Sequence, residues 1–114
     1  MKSLPVPFLL GCLLAPALRA AAPSRVVSVS SAGHSFSPVV FEDVHFERRA
    51  YDKWAAYGQA KTANVLFAVE LDRRLAAHGV RAFGLHPGGI VTELGRHLGP
   101  EDLALIRARA AASL

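Results

Sequence analysis

Two short runs of β-branched and aromatic residues, 25–30 and 80–86, flank one long helical pattern at 53–78, and this order constrains the fold more than any other feature of the chain. The first run, RVVSVS, carries Val26, Val27 and Val29 between a proline and a glycine, which reads as a short strand. The second, VRAFGLH, opens directly after Gly79. Strands separated by a helix cannot pair as a hairpin. They pair in parallel through a crossover, which is right-handed in nearly all cases. The expectation is therefore α/β architecture. A parallel sheet needs cover on both faces, and two strands cannot supply it. The chain thus reads as part of a larger doubly wound parallel-sheet domain.

The remaining elements fit around that unit. Residues 32–52 form a polar and aromatic stretch without a clear period, read as a long loop of the kind that is functional or covers something. Asp52 is placed to cap the helix at 53–78, and Gly79 to end it. Val65, Leu66, Phe67, Val69, Leu71 and Leu75 spread over more than one face of that helix, so it is expected to be largely buried. PGGIVTELG is a turn-rich connection, and a last helix follows Pro100, with two acids in its first turn. The first 23 residues admit two readings. Lys2, an apolar run from Leu4 to Leu18 and small residues at Ala20–Ala22 outline a secretory signal peptide. The other reading is a helix over 8–21, with Pro5 and Pro7 ahead of its first turn.

Composition excludes several classes. With 114 residues, 52% hydrophobic and 19% charged, the chain is one domain's worth and neither disordered nor fibrous. The net charge of +4 is spread out, with arginine pairs only at Arg48–Arg49 and Arg73–Arg74, so it reads as a solvated surface and not as a nucleic-acid interface. Cys12 is the single cysteine, which rules out an internal disulfide. His34, His45, His78, His86 and His97 show no metal-ligand spacing, and no metal site is expected. No apolar stretch is long enough to suggest a transmembrane segment.

The chemistry concentrates in AAYGQAKTANVLFAVEL. Tyr57 and Lys61 stand at i and i+4 and share one helix face. A tyrosine ordinarily loses its proton near pH ~10. A neighbouring ammonium favours the phenolate, and a tyrosine so tuned can exchange a proton with a substrate hydroxyl or carbonyl. Ser31, at the end of the first strand, could hold the substrate oxygen, since α/β sheets place ligands at strand ends. In HPGG, after the second strand, Gly88 and Gly89 would let a flat ligand approach the backbone. Taken singly, each of these has a plain reading as surface packing or a turn.

As a set, RVVSVSSAGH, a long loop, YGQAKTANVLFAVEL and GVRAFGLHPGGIVTEL resemble the short-chain dehydrogenase/reductase family, on the branch with the retinol dehydrogenases and the WW-domain-containing oxidoreductases. The resemblance is clearest over 8–98. It implies the C-terminal part of a doubly wound, Rossmann-type domain and NAD(P)-dependent hydride transfer between an alcohol and its carbonyl, with a small-molecule alcohol or carbonyl as substrate. It assigns Tyr57 as the catalytic acid/base and Lys61 as the residue that tunes it and binds the nicotinamide ribose, while Ser31 orients the substrate oxygen. Pro87, Gly88, Ile90 and Thr92 match the segment that touches the nicotinamide side of NAD or NADP, and the 53–78 helix resembles the family's dimer-forming helix. The resemblance also favours the helix reading of the N-terminal residues, hence a cytoplasmic protein, with secretion after cleavage near Ala22 as the alternative.

The family's glycine-rich TGxxxGxG turn, its NNAG segment and the residue that selects NAD or NADP have no counterpart in these 114 residues, and the family's asparagine would fall near Ser3. The expectation is therefore an oxidoreductase segment that is not active alone. The rival readings are a non-enzymatic piece that mediates interaction or dimerisation, and a small secreted protein.

Overall fold

The computed structural model describes residues 5–88 and 97–112. Helix α1 (Pro5–Ala20) leads into strand β1 (Ser24–Val29), helix α2 (Lys53–Leu75), strand β2 (Val80–Leu85) and helix α3 (Pro100–Ala112). The two strands form a parallel pair in the register Ser24↔Val80 to Val29↔Leu85. The α/β reading holds. Short 3-10 turns at Ala32–Phe36 and Phe41–Asp43 break up the expected long loop, and a third at Ala76–His78 prolongs α2.

Local chemistry sets these boundaries. The Asp52 carboxylate accepts the Trp54 N–H at 3.0 Å and caps α2, as expected. The α-helix stops at Leu75, three residues short of the expected end, because the last turn tightens to 3-10 before the chain reverses at Gly79. Gly79 has φ 79, and a Cβ there would sit 2.9 Å from the Ala22 Cβ, so both conformation and space demand glycine. Both strands differ slightly from the expected limits. β1 runs one residue earlier, because Ser24 N–H already bonds to Gly79 O, and β2 ends at Leu85. α1 begins at Pro5, not at 8, so Pro5 and Pro7 lie inside its first turn. Backbone N–H groups there have no intrahelical acceptor, and proline costs nothing.

Alternation along the strands gives the sheet two unlike faces. Val26, Ser28, Val80, Ala82 and Gly84 meet α2; Ala68 and Leu71 of that helix complete a small core with Val80 and Ala82. On the opposite face Val27, Val29, Phe83 and Leu85 are 42–53% exposed. The expectation that α2 is largely buried is corrected. One face meets the sheet, but Leu66 and Val69 on the other are 48% and 62% exposed. α1 touches α2 through the Phe8–Phe67 ring pair at 5.9 Å and through Gly11, which lies against the Phe67 ring, and it buries no residue fully.

Candidate functional site

The C-terminal end of β1 is sewn to the middle of α2. Ser28 Oγ donates to Asn64 O at 3.0 Å, Ser30 Oγ donates to Lys61 O at 2.8 Å, and the Asn64 side-chain amide donates to Val29 O at 2.9 Å. Ser28 and Ser30 point toward the helix, so Ser31 falls just past the strand. There its Oγ accepts the Gly33 N–H at 3.0 Å and caps the 3-10 turn Ala32–Phe36. Thr62 clasps that turn onto α2, its hydroxyl within 2.9 Å of His34 O and 2.6 Å of Ser37 O.

The turn and the helix touch at two glycines. A Cβ on Gly58 would lie 2.9 Å from both Gly33 O and Ser37 N; one on Gly33 would lie 2.5 Å from Tyr57 Cε1. The Tyr57 ring therefore rests against the turn that begins at Ser31. Lys61 Nζ lies 5.5 Å from the Tyr57 ring centroid, so the expected shared helix face is present. Tyr57 is 40% exposed and can be reached by a ligand. The structure thus brings Ser31, Tyr57 and Lys61 into one neighbourhood. Pro87 and Gly88 are exposed at the end of β2, and Gly88 has φ 88 with open space where a Cβ would be. Its N–H donates to His86 Nδ1 at 3.2 Å. Gly89, Ile90 and Thr92 lie outside the described residues.

Four residues not singled out from the sequence organise the surroundings. Gln59 is buried at 2% exposure and pins the 39–49 loop: its Oε1 accepts Val40 N–H and Arg49 Nη2–H, and its Nε2 donates to Val44 O. In that loop Asp43 accepts the N–H groups of Glu47, Arg48 and Arg49. Burial pushes its carboxyl up, but these N–H groups outweigh burial and hold it below the ordinary value. Trp54 stands edge-on to Tyr57 at 6.2 Å and to Phe36 at 5.4 Å. Asp102, 4% exposed on α3, accepts from Lys53 Nζ at 2.9 Å, Trp54 Nε1 at 3.2 Å and Gly99 N at 3.1 Å. The Lys53 hydrogen bond, then the Gly99 N–H, hold the Asp102 carboxyl below its ordinary value. A lone polar residue such as Gln59 or Asp102 gives no periodic signal, and only its partners reveal its part.

A groove of about 500 Å³ opens elsewhere, on the outer side of α2. Phe8, Val39, Phe41, Leu66 and Phe67 line it, with Glu70 and Arg74 beside them. Ser31, Tyr57 and Lys61 are not among its walls. No group of three or more His, Cys, Asp or Glu that could hold a metal occurs among the described residues, and no described helix is long and apolar enough to cross a membrane.

Known proteins match this segment. It is 52% identical over 96 residues to a "probable oxidoreductase" of Streptomyces lividans, covering 84% of this chain and 32% of that protein. It is 47% identical over 97 residues to retinol dehydrogenase 13 of Mus musculus, covering 85% and 29%. It is 48% identical over 80 residues to a short-chain dehydrogenase/reductase of Penicillium roqueforti, covering 70% and 23%. The chain resembles one part of the short-chain dehydrogenases/reductases, on the retinol-dehydrogenase branch. It spans less than a third of the length of these curated relatives. A solved structure of an uncharacterised protein from Mycobacterium paratuberculosis shares 44% identity and a TM-score of 0.56, over 64% of this chain and 28% of that one. No family model matches. The short-chain dehydrogenase/reductase likeness and the parallel βαβ unit agree, since doubly wound sheets are built from such units.

Proposed function

We propose that this segment carries the acid–base half of an NAD(P)-dependent alcohol–carbonyl oxidoreductase, with Tyr57 as the group that exchanges a proton with the substrate oxygen. The observation that carries the reading is the seat of Tyr57: its ring lies against the turn capped by Ser31, with the Lys61 ammonium 5.5 Å from its centroid. Ser31 Oγ already accepts the Gly33 N–H, which leaves its own O–H to donate to a substrate oxygen. Lys61 supplies positive charge beside the phenol and a donor for a ribose hydroxyl. At the end of β2, Gly88 offers open backbone where a flat ring can approach, which fits the nicotinamide side of NAD or NADP. A bound nicotinamide supplies or accepts the hydride. Pro87, Ile90 and Thr92 belong to the same proposed contact.

The similarity to the retinol dehydrogenase and oxidoreductase relatives supports the reaction class, a small alcohol or carbonyl being the substrate. The exposed outer face of α2, with Leu66 and Val69, supports self-association of the complete domain through that helix.

The test installs the matched segment in the full-length Streptomyces lividans relative and follows turnover of alcohols and carbonyls with either cofactor. Tyr57→Phe should lower turnover at least about a hundredfold and leave cofactor affinity nearly intact. Lys61→Ala should damage both turnover and cofactor affinity, whereas Ser31→Ala should damage turnover alone. A Tyr57→Phe enzyme that keeps most of its turnover would overturn the assignment.

A further inference from the structure

The buried Asp102 carboxylate takes no part in the proton transfer proposed for Tyr57, yet it is one of the most enclosed charged groups among the described residues, at 4% exposure. It joins two elements distant in sequence. Lys53 Nζ lies 2.9 Å from each carboxylate oxygen; one of them also accepts the Gly99 N–H at 3.1 Å, and the other accepts the Trp54 indole N–H at 3.2 Å. Trp54 is the only tryptophan of the chain, and its indole N–H has the Asp102 carboxylate as acceptor. Its other side-chain contacts among the described residues are ring edges, with Phe36 at 5.4 Å and Tyr57 at 6.2 Å, and the Lys53 ammonium 5.7 Å from its ring centroid. An indole packed only by rings can rotate; one hydrogen-bonded to a buried carboxylate has its plane fixed. α3 makes a second contact with the same wall, the Arg109 guanidinium lying 4.8 Å from the Phe36 centroid.

We infer that Asp102 is a positioning residue for Tyr57: by fixing the Trp54 indole it presses the tyrosine ring onto the Gly33 turn, beside Ser31. The inference rests on the proposed role of Tyr57. The two side-chain partners of Asp102 then have different jobs. The Lys53 ammonium anchors α3 and compensates the buried charge, and the indole N–H sets the aromatic wall. Lys53 is itself largely exposed, with 59% of its side chain accessible, so losing it leaves the carboxylate partly hydrated and still bonded to the indole.

The test uses the 114-residue chain carrying Val27→Thr and Phe83→Lys on the bare sheet face, away from α2, and the nuclear Overhauser contact between the Tyr57 ring and the Gly33 α-protons, with tryptophan emission as a second signal. Asp102→Leu should abolish the Tyr57–Gly33 contact and shift Trp54 emission to the red, while the amide signals of the β1–β2 ladder stay in place. Asp102→Asn, which keeps one acceptor for the indole, should restore the contact, and Lys53→Met should retain it. A Tyr57–Gly33 contact that survives Asp102→Leu overturns the inference. If Asp102→Leu does not fold, Trp54→Phe takes its place: it removes the indole N–H and keeps a ring, and retention of the contact in that variant likewise overturns the inference. None of these signals depends on turnover, so an active Tyr57→Phe enzyme would sink the catalytic reading and leave the coupling between Asp102 and Tyr57 measurable by itself.

Discussion

The Ser30 hydroxyl donates to the Lys61 carbonyl at 2.8 Å. With the Ser28–Asn64 and Asn64–Val29 bonds it fixes the height at which β1 meets α2, and it does so at the functional positions: Ser31 follows Ser30, and Lys61 carries the ammonium beside Tyr57. Ser30 is 4% exposed and its backbone N–H continues the ladder to Leu85 O. Ser30→Ala removes the hydroxyl without adding bulk, and the Lys61 carbonyl stays within the helix. The expected loss is about 1 kcal/mol, the usual net worth of such a bond. Urea unfolding of the two proteins measures it; equal midpoints would mean that the bond does not hold the strand to the helix.

Gln59 should matter more. Its side chain satisfies the Val40 N–H and the Val44 carbonyl and also receives Arg49, all from a loop with no sheet to pair with. Gln59→Leu fills similar space but strands two half-buried backbone groups. Each unsatisfied group costs about 1–3 kcal/mol. The expected outcome is a chain destabilised by several times the Ser30→Ala loss, or one whose 39–49 loop opens while the βαβ unit stays closed. Hydrogen exchange at Val40 against exchange at Ala82 separates these outcomes from no effect, which would contradict the role given to Gln59.

Much of this was legible in the sequence, for physical reasons. Val26, Val27 and Val29 before a glycine-bounded turn, and Gly79 before VRAFGL, carry local signals that survive without tertiary context, because φ limits and β-branching act residue by residue. Tyr57 and Lys61 were legible because helix geometry alone makes them neighbours. The burial of α2 was not. Its apolar residues circle the helix, and periodicity cannot tell a face that meets a sheet from one left largely open among the described residues. Gln59, Trp54 and Asp102 were also invisible, since the side-chain partners of Asp102 lie some fifty positions away and no short-range pattern reports them.

Acid should weaken the fold over a window that Glu70 marks. Its hydrogen bond to Arg73, then that to Arg74, bring its pKa to about 2 from the ordinary 4.5. The folded carboxylate thus resists protonation more than the unfolded one. Its contribution is fully present above pH 4.5 and is lost as pH falls through about 2. Asp72, held low by Arg81, and Asp102, held low by Lys53, act in the same direction. Melting temperature should therefore decline from pH 4.5 toward pH 2, and Glu70→Gln should show a shallower decline than the parent chain. Identical pH profiles would show that the exposed Glu70–Arg73–Arg74 cluster adds nothing beyond screened surface charge.

The bare face of the sheet should govern how the 114-residue chain behaves in solution. Val27 and Phe83 are paired across the ladder, as are Val29 and Leu85, and all four are 42–53% exposed. Each strand also has an outer edge that neither strand of this pair covers, since the described sheet has two strands only. A flat apolar face bounded by unpaired edges recruits other chains without a defined stoichiometry. The outer face of α2 is apolar too, but its backbone is satisfied within the helix, so association there stops at a discrete oligomer. The expected result is a broad distribution of sizes in sedimentation velocity. Val27→Thr with Phe83→Lys, both on the bare face and away from α2, should collapse that distribution to a monomer or one small oligomer. Leu66→Asp on the helix should leave it broad. A parent chain that already sediments as a single sharp species, or a distribution narrowed by Leu66→Asp alone, would place the sticky surface on the helix and not on the sheet.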